Sequence, residues 1–315
     1  MKNPSFGHIG VLMGGYSSER EISLKSGKGI FEALQGSGCH VSAIDITSHD
    51  PEEILKQIKN AKINVAFIAL HGALGEDGVI QEILQKAGLP YTGSSAQASR
   101  LALNKILTQK RLQENGISVP DFQILRKGQS TEKIKKFPVV VKPSSQGSSI
   151  GITLVEKAGD LKAALEEAFK YDEEALLESY IEGRELTIGI LDKKALPVIE
   201  IRPKHKFFDF TAKYQSGLTD YIIPAEIPPQ AAGQVQEMAL KAHLVLGCAD
   251  MSRVDVMLDK NNRAFVLEIN TIPGFTPTSL LPKAARAAGI DFQGLCLKLV
   301  ELAYSKTKKP QTSLV

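Results

Sequence analysis

Arg253-Val-Asp255-Val-Met-Leu258, followed after six residues by Phe265-Val-Leu-Glu268-Ile-Asn270-Thr-Ile-Pro-Gly274-Phe-Thr276, constrains the architecture more than any other part of the chain. Strand alternation puts Arg253 and Asp255 on one face and Val254, Val256 and Leu258 on the other. Glu268 and Asn270 likewise share a face. The intervening Asp259-Lys-Asn-Asn-Arg263 is turn chemistry, so the two strands should pair as a hairpin. Asp255, Glu268 and Asn270 then converge beside Arg253, and an all-oxygen set of this kind suits Mg²⁺ bridging phosphates. The plain alternative is the polar outer face of an edge hairpin. It is the weaker reading, because Glu268 and Asn270 close an otherwise apolar strand.

Outward from this hairpin, 231–246 reads as a helix, and 203–229 is a long irregular stretch of the kind that forms lids or binding loops. The middle of the chain reads as a helix (102–114) and then strand, loop, strand: 137–143, a Ser/Gly-rich loop, and 151–155. That order favours an antiparallel hairpin. A helix (159–169) and a strand (175–180) follow. The first third alternates strands (8–13, 41–46, 64–70) with helices, which predicts a parallel sheet covered on both faces. Ser18 with Glu21 forms a capping-box pattern for the first helix.

Neither a G-x-x-x-x-G-K-[ST] loop nor a G-x-G-x-x-G turn after a strand is present. Instead Lys142 stands at a strand end beside Pro143-Ser-Ser-Gln-Gly-Ser-Ser149, whose backbone N–H groups can form an anion nest. On its own such a loop also fits a hairpin with no ligand. Leu176-Leu-Glu178-Ser-Tyr-Ile181-Glu-Gly-Arg-Glu185 reads as a connector between units. Glu19 lies just past the Gly14-Gly15 turn, where an acid also complements a helix dipole.

A length of 315 residues and 43% hydrophobic content fit two or three globular units with a real core. A formal charge of +3 gives no basic face for nucleic acid. Cys39, Cys248 and Cys296 show no metal-ligand spacing, and an odd count argues against a disulfide framework. With no leader-like N-terminus and no membrane-length apolar run, a cytoplasmic location is expected.

Taken together, the ordered segments resemble the ATP-grasp superfamily and, within it, the D-alanine–D-alanine ligases. The resemblance runs from Val11-Leu-Met-Gly-Gly-Tyr-Ser-Ser-Glu-Arg-Glu21 through Ala69-Leu-His-Gly72 and Glu76-Asp-Gly78 to the last helix. Its most specific parts are Leu89-Pro-Tyr-Thr-Gly-Ser94, Ala212-Lys213-Tyr214 and the segment 268–276. It implies an α/β chain with an ATP-grasp fold and an N-terminal Rossmann-like sheet, divided as 1–100, 101–186 and 187–315, with ATP held between the last two units. Lys105 and Lys142 would contact the ATP phosphates, Glu178 and the backbone at Ile181 the adenine, and Glu185 the ribose. Asp255, Glu268 and Asn270 would hold two Mg²⁺ (or Mn²⁺) ions. Glu19 would bind the ammonium of the first D-alanine, bonded to Ser148 and Tyr214, with His71 nearby. Arg253 and the Gly274 N–H would face the oxyanion, and Lys213 and Ser279 the carboxylate of the second D-alanine. A homodimer is implied as well.

Two departures stand out: Ser145-Gln146 where many members carry a charged pair, and Phe210-Thr211 where tyrosine and glutamate are common. The rival readings are another ATP-grasp ligase, such as one making D-alanyl-D-lactate, and a non-catalytic nucleotide binder. Tyr214 in its Ala-Lys-Tyr setting opposes the first. The presence of Arg253 and all the metal-ligand candidates opposes the second.

Overall fold

The computed structural model describes residues 6–132, 134–203 and 219–306. The first third forms the expected parallel sheet. Strands β1 (His8–Gly14), β2 (His40–Ile46) and β3 (Val65–Ile68) lie in the order β2-β1-β3. In β1, Ile9, Val11 and Met13 face a core containing Ile30 and Leu34 of helix α1 (Arg20–Gly36). Leu12 points the other way, onto Ile54 and Ile58 of α2 (Pro51–Asn60) and Ile80 and Leu84 of α3 (Val79–Lys86). Both faces are buried, which is why the strand is apolar at nearly every position.

The capping box is not formed. Helix α1 starts one residue later than that pattern requires, with Glu19 at the N-cap and no side-chain cap bond. Ser17 instead accepts from the Glu19 N–H at 3.2 Å and donates to the His71 carbonyl at 2.8 Å. The helix expected over 102–114 is two helices, α4 (Ala96–Leu103) and α5 (Lys105–Glu114). Asn104, at φ −80° and ψ 102°, ends the first, and its side chain accepts from the Leu107 N–H to start the second. An Asn that bonds its own backbone competes with helix continuation, and Lys105 becomes the first residue of α5.

A second sheet is antiparallel throughout: β4 (Phe122–Arg126), β5 (Val139–Pro143), β6 (Thr153–Val155) and β7 (Glu174–Ser179), ordered β4-β7-β5-β6 and packed on α6 (Leu161–Ala168). The β5–β6 hairpin matches expectation.

The third sheet holds β8 (Gly183–Leu191), β9 (Lys194–Ala195), β10 (Ile199–Pro203), β11 (Thr219–Ile222), β12 (Met251–Asp259) and β13 (Ala264–Asn270). Its main order is β11-β10-β8-β12-β13. Residues 203–229, expected to be irregular, therefore contain a strand that pairs with β10; residues 204–218 fall outside the described part. One face of the sheet buries Leu186, Ile188, Val254 and Val256 against α7 (Pro229–Val245) and against Leu112 of α5.

Helices α8 (Leu280–Ala287) and α9 (Phe292–Ser305) close the molecule. Leu281, Leu295 and Leu299 share one core with Val11 and Phe67 of the first sheet and Met251 of the third. Phe67 and Phe275 meet edge-on, centroids 5.5 Å apart, at the centre of that core. Phe275→Ala would cost about 3–5 kcal/mol here. The three cysteines are unpaired. Among the described residues no helix is long and apolar enough to cross a membrane.

Candidate active site

The site lies at the C-terminal ends of β1 and β3, where open parallel sheets bind ligands, and opposite the β12–β13 hairpin. Gly14 (φ +87°) and Gly15 (φ +81°) turn the chain sharply out of β1 and set Glu19 at the edge of a cavity. Its carboxylate rests against Gly72, where an added methyl would lie 2.6 Å from Glu19 Oε2. From the far side Ser148, held at φ +52°, donates to Glu19 Oε1 at 2.5 Å. The serine loop thus reaches across to the first sheet. His71 is buried beside them, its Nε2 3.2 Å from Ser26 Oγ and its Nδ1 3.7 Å from Glu76 Oε1.

In the hairpin, Asp255 is directly opposite Glu268 and Arg253 opposite Asn270. β12 is not an edge strand, because β8 pairs along its other side and puts Thr187 against Asp255. The Arg253 guanidinium forks the Asp255 carboxylate at 2.9 and 2.8 Å, and the Thr187 hydroxyl donates to it at 2.6 Å. Such planar two-point pairing is the geometry arginine is built for. Glu268 Oε2 lies 3.4 Å from Lys105 Nζ, which also donates to the Gln146 carbonyl at 2.6 Å. Asn270 Oδ1 accepts from the Ile272 N–H.

Behind the hairpin, Lys142 and Glu178 form an almost fully buried pair at 2.5 Å, and Gln109 donates to the other Glu178 oxygen at 3.1 Å. Burial alone would push the Lys142 ammonium down, but Glu178, with Glu268 and Glu185 beyond it, outweighs that and raises its pKa. Lys142 therefore keeps its charge in a dry site.

Two cavities meet here. One, of about 420 Å³, is lined by Glu19, His71, Ser148, Arg253, Gly274 and Ser279. The other, of about 340 Å³, is lined by Lys142, Glu178, Ile181 and Glu185. Asp255 and Glu268 line both. The arrangement can hold a polar, zwitterion-sized molecule in one chamber and a larger, partly apolar one in the other, with two carboxylates at the junction.

Residues 111–301 match the family model described as the D-ala D-ala ligase C-terminus, and residues 48–94 the one described as the N-terminus. A D-alanine–D-alanine ligase from Geotalea uraniireducens (strain Rf4) is 44% identical over 301 residues, covering 95% of this chain and 96% of that protein. The chain belongs to the D-alanine–D-alanine ligase family. A second family relative, from Pelotomaculum thermopropionicum, is 44% identical over 309 residues, covering 94% of this chain and 96% of its own. The crystal structure of the Bacillus anthracis D-alanine–D-alanine ligase complexed with ATP superposes with a TM-score of 0.84 at 34% identity, covering 96% of this chain and 98% of that one. The Coxiella burnetii ligase gives 0.83 at 29% identity, with 96% and 94% covered. These neighbours carry the ATP-grasp fold expected of the family.

Against the residues expected from the family resemblance, the structure gathers Glu19, His71, Ser148, Arg253, Gly274 and Ser279 around one cavity and Lys142, Glu178, Ile181 and Glu185 around the other. Lys105 lines the first cavity, beside Glu268. Ser279 Oγ is engaged locally, accepting from the Thr276 N–H at 3.0 Å. Lys213 and Tyr214 lie outside the described residues. Three supporting residues went unassigned at the sequence level: Gln109, Thr187 and Ser26. Thr187 left a signal, a lone hydroxyl in the apolar run 186–191. Gln109 and Ser26 left none, because a polar residue on a helix reads as solvated surface.

Proposed function

We propose that this chain condenses two D-alanines at the expense of ATP, through a D-alanyl phosphate, releasing ADP and phosphate. The observation that supports this best is the junction itself: a Lys142–Glu178 chamber and a Glu19–Ser148 chamber that share Asp255 and Glu268. Phosphoryl transfer needs donor and acceptor oxygens in line, with the charge between them neutralised.

ATP would lie with its base near Glu178 and Ile181, its ribose at Glu185 and its phosphates at Lys142 and Lys105. Glu19 would receive the ammonium of the first D-alanine, so that its carboxylate points to the junction. A carboxylate oxygen attacks the γ-phosphorus and ADP leaves. The neutral amine of the second D-alanine then attacks the acyl carbon, the C–O bond to phosphate breaks, and the amine proton is lost. Arg253 and the Gly274 N–H would hold the oxyanion formed in between, and Ser279 with Lys213 would hold the acceptor carboxylate. Arg253 would have to share Asp255 in order to do so.

The donor set fits divalent cations of the Mg²⁺ or Mn²⁺ kind. Asp255 and Glu268 offer oxygen from facing strand positions and Asn270 an amide oxygen. Among the described residues no three His, Cys, Asp or Glu side chains cluster, so phosphate oxygens and water would complete the shells. When bound, such ions would offset the charge on the transferred phosphate.

The division into units 1–100, 101–186 and 187–315 is proposed too, as are a homodimer and a cytoplasmic location; limited proteolysis, light scattering and cell fractionation test them.

The deciding experiment supplies ATP and Mg²⁺ with D-alanine, L-alanine or no amino acid. Phosphate release should require D-alanine. Release indifferent to it would overturn the assignment.

A further inference from the structure

The segment Leu89-Pro-Tyr-Thr-Gly-Ser94 has no part in the chemistry above, yet it is bonded on both sides. Toward the first sheet, Thr92 N donates to the Ala66 carbonyl at 3.0 Å, and the Thr92 hydroxyl accepts from the Ile68 N–H at 3.0 Å. Toward the third sheet, Ser94 Oγ accepts from the Ala249 N–H at 3.1 Å, and the Gly93 N–H donates to Asp250 Oδ2 at 2.8 Å. Lys306, just past α9, fills its three donor positions on the same spot: Asp250 Oδ2 at 2.6 Å, the Gly93 carbonyl at 2.7 Å and the Tyr91 carbonyl at 3.1 Å. The Asp250 side chain is buried, and its backbone sits at φ +61°, a left-handed conformation uncommon outside glycine though better tolerated by Asp and Asn than by other residues.

Asp250 immediately precedes β12, the strand of Arg253 and Asp255, and β3 leads directly to His71 and to Gly72, on which Glu19 rests. The apolar core between these sheets is already extensive, but hydrophobic contact is non-directional and leaves their relative setting loosely specified. We propose that Asp250, locked by Lys306 onto the 91–94 segment, is a positioning residue that sets β12 against the end of β3 and so aligns Arg253 with Glu19. The proposal rests on the ligase reading above.

The discriminating variant is Asp250→Gly, because glycine keeps the left-handed backbone without strain while the latch is lost. In the full chain, turnover with saturating D-alanine should fall about tenfold, since small misplacements at a reacting centre are costly. ATP affinity should change by no more than about twofold, because the proposed nucleotide chamber is built from the second and third sheets alone. Adding Lys306→Met to Asp250→Gly should cost little more, as expected of two ends of one interaction. Asp250→Asn still accepts from Gly93 and Lys306 and should recover most of the turnover.

Wild-type turnover in Asp250→Gly would overturn the proposal, as would a loss of ATP affinity in proportion to the loss of turnover. Should the wild type fail to turn over D-alanine at all, the ligase reading falls instead. Amide exchange then still tests the latch: the Gly93 and Ala249 N–H groups should exchange faster in Asp250→Gly, and unchanged exchange would refute it.

Discussion

Two hairpins frame the junction, and they are held in opposite ways. β12–β13 is embedded: β12 has a partner along each side, and its Arg253, Asp255 and Thr187 contacts are fixed by strand register. β5–β6 pairs over only three residues on each strand, and its loop carries Ser148 and Ser149 at positive φ. That loop is held by side chains borrowed from elsewhere. Asp172 accepts from the Ser145 N–H at 2.8 Å, Lys105 donates to Gln146, and Ser148 donates to Glu19. The difference teaches where each job belongs. Arg253 and Asp255 sit on a strand held on both sides, and Glu268 faces Asp255 from the end strand β13. The serine loop is tied down by bonds that can be exchanged one at a time, as the proposed reaction would require where substrates enter.

If that division holds, the largest effect should come from the embedded hairpin. Glu268→Gln keeps the shape and removes one charge from the junction, so turnover should fall by about two to three orders of magnitude. The melting temperature should stay near wild type, and residual activity should rise with Mg²⁺. A variant that melts early and is not rescued by Mg²⁺ would make Glu268 structural. Arg253→Lys should follow, with turnover down about a hundredfold, because an ammonium cannot make the fork that Asp255 receives. ATP affinity, measured by titration, should hardly change. Near-wild-type turnover there would reduce Arg253 to an ion-pair partner.

The tethered hairpin should respond more mildly. Ser148→Ala removes the bond to Glu19 and should lower turnover with D-alanine about tenfold. Steady-state kinetics would break the comparison if Ser148→Ala cost as much as Arg253→Lys.

The last effect is on stability and leaves turnover aside. His243, on α7, is buried under β12 with its Nδ1 2.7 Å from Ser252 Oγ, and burial pushes its pKa from the ordinary 6.5 to about 4. The unfolded chain therefore takes up this proton before the folded one does. The stability contributed by the neutral ring is complete above pH 6.5 and is lost as pH falls toward 4. At about 1.4 kcal/mol per pH unit the loss approaches about 3 kcal/mol. Denaturant melts across that range should show it, and His243→Gln should flatten the slope. An unchanged slope would mean that His243 is not the group responsible.

What was legible in the sequence follows the same contrast. The embedded hairpin could be read in part, because alternation within each strand puts Arg253 with Asp255 and Glu268 with Asn270; the one-residue irregularity after Asp255, which sets it opposite Glu268 and not Leu267, left no mark in the spacing. The N-terminal sheet was legible for a different reason: its short continuous apolar runs alternate with helices, as strands buried on both faces do. The break at Asn104 was not, because a single Asn within a helical pattern is unremarkable until its side chain is seen capping the next helix. The Asp250–Lys306 contact was invisible as well. It joins residues 56 apart in sequence onto a third segment, and no local period encodes that. The roles given to Glu19 and Ser148 came from family resemblance alone, since either residue in isolation reads as a helix-start acid or a loop serine.

The central claim is that a D-alanine carboxylate is activated by phosphoryl transfer at the Asp255–Glu268 junction. The most direct test gives the protein ATP, Mg²⁺ and D-alanine carrying heavy oxygen in its carboxylate, then weighs the inorganic phosphate released. If the carboxylate attacks the γ-phosphorus and the amine later expels phosphate, each phosphate formed with dipeptide carries one heavy oxygen. Dipeptide accompanied by unlabelled phosphate would contradict the account.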